Sequence, residues 1–150
     1  MLLKRLADEA SIRKPNIIII AIGTNDYSSN KNINSTATNA KKFEQNILKI
    51  NKCAKKFTTN IIFISLTNII EKKTTPLSYN RNKYHYFKNA IEYNQLLEDV
   101  CRKNRIKFIP IFDLLTSKEI SEDGLHPNSK GHEKIFNKVK NYLKITKFKN

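Results

Sequence analysis

Residues 17–26 have the sequence IIIIAIGTND, which joins six apolar residues to a glycine and three polar residues. An unbroken apolar run of this length is typical of a parallel strand that is covered on both faces. Gly23 and the polar residues that follow it predict a turn directly after the strand. This segment therefore predicts a buried strand that delivers Thr24, Asn25 and Asp26 to one edge of a sheet.

The rest of the chain alternates strands with helices. Residues 61–66 and 106–111 predict two more strands. Apolar residues at helical spacing predict helices between and after them, and Pro15 ends a further helix near the start. The fold class is therefore α/β with a parallel sheet. Sites in such sheets lie beyond the carboxyl ends of the strands.

A second polar segment, residues 123–127 with the sequence DGLHP, follows the third predicted strand. A histidine general base needs a carboxylate that orients its ring. Asp123 and His126 are three residues apart, and Gly124 lets the turn bring their side chains together. The alternative is a surface loop in which both residues only cap the next helix. The turn is expected at the same sheet edge as Asn25.

The turn after the first strand offers a complementary group. The side-chain amide of Asn25 can donate a hydrogen bond to a developing oxyanion. Gly23 lets the backbone turn closely beneath a substrate, and the Asp26 side chain is expected to support the loop by accepting backbone hydrogen bonds. An ordinary strand-to-loop turn is the alternative, because these residue types are common in turns.

Taken together, the two segments resemble the SGNH (GDSL) hydrolase family, and the resemblance covers essentially the whole chain. It implies a flavodoxin-like, three-layer α/β/α fold with a parallel sheet. It also implies that Asn25 contributes to the oxyanion hole and that Asp123 and His126 supply the acid and base. The implied activity is hydrolysis of a small ester substrate, as by an esterase, lipase or acylhydrolase.

Two parts of the family pattern are absent, the nucleophile block and a second block that supplies an oxyanion-hole glycine. The family's nucleophile lies in a Gly-Asp-Ser block. This chain has glycine only at positions 23, 124 and 131, and none of these glycines is followed by Asp-Ser. Ser28 and Ser29 follow the wrong strand, and Ser129 is explained by a helix start. The resemblance therefore implies one domain over residues 1–150 that is N-terminally incomplete and lacks the first two strands and the nucleophile.

This departure leaves three functions open. The first is an ester hydrolase that is inactive alone, from a truncated frame or a split gene, with an unpaired apolar edge from Ile17 to Ile22 that favours self-association. The second is a non-catalytic relic or binding module on the same scaffold. The third is a basic nucleic-acid-binding protein, because the net charge is +15; scattered lysines without an arginine cluster favour a solvated surface instead.

No cofactor or metal is expected, since Cys53 and Cys101 show no metal-ligand spacing. No apolar run is long enough to span a bilayer, and the chain carries no signal-peptide pattern, so cytoplasm is the default location. Among the other histidines, His132 is expected to pack or face solvent, and His85 shows no partner in sequence. The long connection from Thr67 to Lys83 is expected to shape the site. Three tyrosines near it, more often packed or solvated than substrate-binding, are Tyr79, Tyr84 and Tyr86.

Overall fold

Strands and helices alternate along the chain in the computed structural model, which describes residues 2–146 and 148. The elements are α1 (Leu2–Arg13), β1 (Ile18–Ala21), α2 (Ala40–Ala54), β2 (Ile61–Ile64), α3 (Glu71–Thr74), α4 (Phe87–Lys103), β3 (Lys107–Ile109) and α5 (Ser129–Ile145). Each strand is shorter than its apolar run predicts, because the backbone ladder covers only part of the run. The connection after β2 contains α3, which the sequence did not indicate.

The three strands form a parallel sheet in the order β1-β2-β3. Ile19 is paired with Ile62, and Phe63 is paired with Phe108. Because all strands are parallel, their carboxyl ends lie at one edge, where the loops after β1, β2 and β3 meet. The predicted α/β class with a parallel sheet is confirmed.

Helices cover the two faces of the sheet unequally. The larger core packs α1, α2 and α4 against one face, with Ile20 and Phe63 among the buried strand residues. On the other face, α5 packs its apolar side, which includes Ile135 and Val139, over Ile62 and the rest of a smaller cluster. This arrangement gives the three layers that the resemblance implied.

The expectation that β1 is covered on both faces is wrong. Ile18 and Ile20 are buried, whereas Ile19 is 40% exposed and Ala21 is exposed. The buried cluster beneath α5 consists of Ile62, Ile64, Ile109 and Ile111 and includes no residue of β1. Within the described residues, β1 is also an edge strand with one unpaired side.

Asparagine side chains cap the two helices that flank the site. Asn39 accepts a hydrogen bond from Lys42 N at the start of α2, and Asn128 accepts one from Gly131 N at the start of α5. Such caps satisfy backbone donors that a helix start leaves unpaired. Ser129 is therefore the first residue of α5 rather than its cap.

No helix in the described part of the chain is long and apolar enough to cross a membrane.

Candidate active site

A cavity of about 710 Å³ lies at the carboxyl ends of β1 and β2. Asn25 lines it from the loop after β1, and His126 lines it from the turn after β3. The parallel sheet brings these two residues together although 100 positions separate them. The two polar segments singled out in the sequence therefore face one cavity.

The side chains of Asp123 and His126 form a direct pair. Asp123 Oδ2 lies 2.6 Å from His126 Nδ1, while Oδ1 accepts hydrogen bonds from the backbone N–H groups of Leu125 and His126. Partial burial acts to raise the pKa of Asp123, but the hydrogen bonds from His126 and from the backbone outweigh it and lower that pKa. The carboxylate thus stays charged and holds one ring nitrogen, which leaves Nε2 for chemistry.

Gly124 allows this turn to approach α3 closely. Its φ is +75°, and a Cβ added there would lie 2.5 Å from the Cβ of Lys73 and 2.9 Å from the carbonyl oxygen of Ile70. The same contact is bonded, since Ile70 N donates to the carbonyl oxygen of Gly124 at 2.8 Å. The turn therefore needs glycine, both for its backbone angle and for its packing.

Glu119 anchors the other side of the turn. Its carboxylate accepts hydrogen bonds from the Thr116 backbone and hydroxyl, and it lies 3.0 Å from Lys134 Nζ on α5. The bonds from Thr116, followed by that from Lys134, lower the pKa of Glu119 to about 2. Because Asn128 N also donates to the Glu119 carbonyl oxygen, the turn and the start of α5 form one bonded unit.

The loop after β1 is held by its main chain. Gly23 has a φ of +119°, and a Cβ there would lie 2.7 Å from Leu66 Cδ2. Its carbonyl oxygen accepts hydrogen bonds from Asp26 N and Tyr27 N, and the Asp26 carbonyl oxygen accepts one from Thr38 N. Among the described residues, the hydrogen bonds that tie Asp26 into the loop are backbone bonds.

Lys83 fixes the orientation of the Asn25 amide. Lys83 Nζ lies 3.3 Å from Asn25 Oδ1. An ammonium group can only donate, so the oxygen of the amide must face it. The Nδ2 donors of Asn25 are therefore directed away from Lys83. Sequence reasoning missed Lys83, because the two residues are 58 positions apart and a lysine in a polar loop carries no signal of its own.

His85 is a second histidine of the cavity, and sequence reasoning missed it. The side chain is fully buried, lines the cavity and packs edge-on against Tyr27 at 5.3 Å. Neither ring nitrogen has a partner at hydrogen-bond geometry among the described residues. Burial and then the charge of Lys83 lower the pKa of His85 to about 4, although the backbone of Thr24 opposes this. The imidazole is therefore neutral near pH 7.

No serine of the described chain is hydrogen-bonded to His126. Ser28 Oγ donates to the Asn25 carbonyl oxygen at 2.7 Å, and Ser29 is buried outside the cavity lining. Ser65 does line the cavity, but its Oγ donates to the Leu66 carbonyl oxygen and accepts from Ile111 N. That hydroxyl links β2 to the segment after β3, which is a structural role.

The other candidates lie around this site. Tyr79 and His132 are exposed residues at the cavity wall. The rings of Tyr84 and Tyr86 stack on each other at 6.0 Å, outside the lining. Among the described residues, no group of three or more His, Cys, Asp or Glu side chains is placed to hold a metal ion. The two cysteines are free thiols, and Cys101 is buried.

The order of elements and the place of the cavity define a three-layer α/β protein with a polar site at the carboxyl edge of a parallel sheet. The family model described as GDSL-like Lipase/Acylhydrolase matches residues 1–139. The chain therefore belongs to the GDSL-like lipase/acylhydrolase family, a family of ester hydrolases. This confirms the resemblance drawn from the two polar segments. No curated protein matches the sequence.

Solved structures with a similar fold include lipases and esterases. A lipase/acylhydrolase from Enterococcus faecalis has a TM-score of 0.76 and 20% identity, over 99% of this chain and 71% of that one. A GDSL-like lipase from Bacteroides thetaiotaomicron has a TM-score of 0.74 and 19% identity, over 95% and 68%. For a catalytic mutant of an acetylxylan esterase from Geobacillus stearothermophilus, the TM-score is 0.70 and the identity 14%, over 99% and 68%. At such identities the likeness shows the fold alone.

Proposed function

We propose that the cavity is an ester-hydrolase site in which His126 is the general base, Asp123 orients it and Asn25 donates to the oxyanion. One observation carries this proposal: His126, with its Nδ1 2.6 Å from Asp123 Oδ2, lines the same cavity as Asn25. A base, its orienting carboxylate and an amide donor are three of the four groups that acyl transfer to a hydroxyl needs.

In this mechanism, His126 Nε2 removes the proton from an attacking hydroxyl and later gives it to the leaving alcohol. Asp123 holds the ring through Nδ1 and stabilises the imidazolium that forms. The Nδ2 donors of Asn25 face the carbonyl oxygen as it gains negative charge. Gly23 has no side chain and lets the backbone pass close beneath the ester, and the backbone hydrogen bonds of Asp26 support that loop.

The nucleophile is the missing fourth group, and we propose that it enters beside β1. A strand added parallel to the free edge of β1 would end at the same sheet edge, next to the cavity. Such a strand would pair the free backbone edge of β1, and its own side chains would flank the exposed Ile19 on the same face. The chain alone is accordingly expected to lack serine-dependent turnover, because loss of a triad member leaves only a small part of the catalysis.

The test uses the purified chain, a short aryl ester and a serine-directed phosphonate. We expect any hydrolysis to be unaffected by the phosphonate and no serine to be labelled, as read by mass spectrometry. Rapid turnover with labelling at Ser28, Ser29, Ser65 or Ser129 would overturn the expected inactivity and identify a nucleophile.

The free edge also supports self-association of this chain in solution, since unpaired apolar strands tend to pair with one another. Replacing Ile19 with lysine puts a charge on the uncovered face of β1, and the matched change is Lys52→Met on the exposed side of α2. In sedimentation experiments the first variant is expected to shift the chain towards monomer and the second to leave it unchanged. A wild-type chain that is monomeric at all concentrations would contradict this.

A non-catalytic binding module is the second candidate, favoured by the lack of a serine bonded to His126 among the described residues. The nucleotide sequence upstream of Met1 separates the two. An in-frame Gly-Asp-Ser block favours the hydrolase, and its absence favours the module.

Nucleic-acid binding is the third candidate and rests on the net charge alone. A salt titration of binding to random duplex DNA tests it, because phosphate contacts weaken steeply as the salt concentration rises. The cytoplasmic location of the protein and its organisation as a single domain also remain predictions.

A further inference from the structure

We propose that Lys83 and His85 form an anion-binding wall of the cavity, so that the ester this site accepts also carries a carboxylate. The inference rests on the proposed function for the ester itself and adds the class of substrate. Both side chains line the cavity, and both come from the segment between α3 and α4. Neither residue is itself the general base, its orienting acid or the oxyanion donor, although Lys83 contacts the oxygen of the Asn25 amide.

The backbone around these two residues is fixed on several sides. His85 N donates to the Thr74 carbonyl oxygen at 2.9 Å, and Thr74 Oγ1 donates to the His85 carbonyl oxygen at 2.6 Å. Tyr84 and Ser29 exchange two backbone hydrogen bonds, at 2.8 and 2.9 Å. The Lys83 carbonyl oxygen accepts from Leu77 N. The wall is thus held in place before any ligand arrives, which lowers the entropy cost of binding.

His85, which lines the cavity, has hydrogen-bonding capacity that the described chain does not fully use. Its side chain is fully buried, and the backbone of Thr24 acts on the ring, yet neither nitrogen reaches full hydrogen-bond geometry with a partner among the described residues. Burying a polar group without a partner is costly, and natural proteins rarely leave one unsatisfied. The neighbouring Tyr27 supplies a ring contact rather than a hydrogen bond. A polar group of the ligand is the partner that the cavity can bring to this imidazole.

Lys83 supplies the positive charge. Its Nζ donates a hydrogen bond to the neutral amide oxygen of Asn25 at 3.3 Å, and no carboxylate of the described chain lies within 4.0 Å of that Nζ. An ammonium group has three donors, and this contact uses one. Among the cavity-lining residues Asp26 is the only acid. A charged donor beside a neutral N–H donor matches the two oxygens of a carboxylate better than an uncharged group.

The test compares two matched esters, monomethyl succinate and dimethyl succinate, in NMR titrations of the chain at low ionic strength. We expect the monoanion to bind about fivefold more tightly, the size of one ion pair at roughly 4 Å in water. Lys83→Met is expected to remove this preference, and Lys83→Arg to retain it. Lys52→Met, which alters an exposed lysine of α2, is the control for general electrostatics.

His85→Gln provides the second arm. Glutamine keeps a donor but does not fill the position of the ring, so binding of the monoanion is expected to weaken by about threefold or more. Equal binding of both esters to the wild-type chain would overturn the carboxylate proposal and leave the ester site standing. If neither ester perturbs resonances of the cavity residues, the ester site fails and the carboxylate wall fails with it. A preference that survives Lys83→Met would assign the anion contact elsewhere and overturn the role of Lys83.

Discussion

Strands β1 and β2 have nearly the same composition but different surroundings. β1 reads IIIA and β2 reads IIFI, and the two are paired in parallel register. Every side chain of β2 is buried, whereas Ile19 of β1 is 40% exposed. An apolar run therefore indicates that a strand is suited to burial. It does not indicate whether the same chain supplies the residues that bury it. Among the described residues, β1 is thus the strand whose cover is incomplete.

Truncating one isoleucine in each strand tests this difference most strongly. Ile62 is fully buried beneath α5, so Ile62→Ala is expected to lower the free energy of unfolding by about 2–5 kcal/mol. Ile19→Ala removes a side chain that water already reaches, and the expected loss is below about 1 kcal/mol. Urea denaturation followed by circular dichroism measures both. Equal losses would show that the face of β1 is covered in solution, for example by a second copy.

The turn that ends β1 is expected to be rigid although the face of the strand is open. Gly23→Ala puts a Cβ 2.7 Å from Leu66 at a positive φ. Such strain costs about 1–3 kcal/mol, and the same denaturation experiment measures it. Thr24→Ala, one position further on, is the control and should change stability little. A neutral Gly23→Ala would mean that the loop carrying Asn25 has other conformations available.

The turn after β3 is expected to depend on the Asp123 carboxylate. Asp123→Ala removes two backbone contacts and the bond to His126, and the expected loss is about 1–2 kcal/mol. Asp99→Ala on the surface of α4, which breaks the ion pair with Arg102, is the comparison and should cost less than about 1 kcal/mol. If the two losses are equal, the bonds of Asp123 to the turn add nothing beyond a surface pair.

The effect expected from His85 is absent at neutral pH and develops only in acid. Its pKa is lowered from 6.5 to about 4 in the folded chain, so the unfolded chain binds more protons between these values. Stability should therefore be complete above about pH 6.5 and fall as the pH drops towards 4. In His85→Gln this component of the acid sensitivity should disappear, as read from melting temperatures across the range. Parallel pH profiles of both proteins would show that His85 is exposed enough to titrate normally.

Local patterns in the sequence were enough to predict the parallel sheet, the helices other than α3, and the pair formed by Asp123 and His126. Lys83 and His85 escaped prediction because their significance comes from loops that only the folded chain brings beside Asn25. The exposure of Ile19 escaped for a related reason, since it depends on where α5 lies. The roles of Asn25, Asp123 and His126 in catalysis stay predictions.

The central claim is that Asn25, Asp123 and His126 belong to an ester-hydrolase site whose nucleophilic serine is absent from this sequence. The most direct test attaches an N-terminal strand ending in Gly-Asp-Ser and measures the rate of aryl-ester hydrolysis. The account predicts turnover that falls by about 10⁴-fold or more in His126→Gln and by about 10²–10³-fold in Asn25→Ala. Turnover that is indifferent to both substitutions in the folded chimera would contradict it.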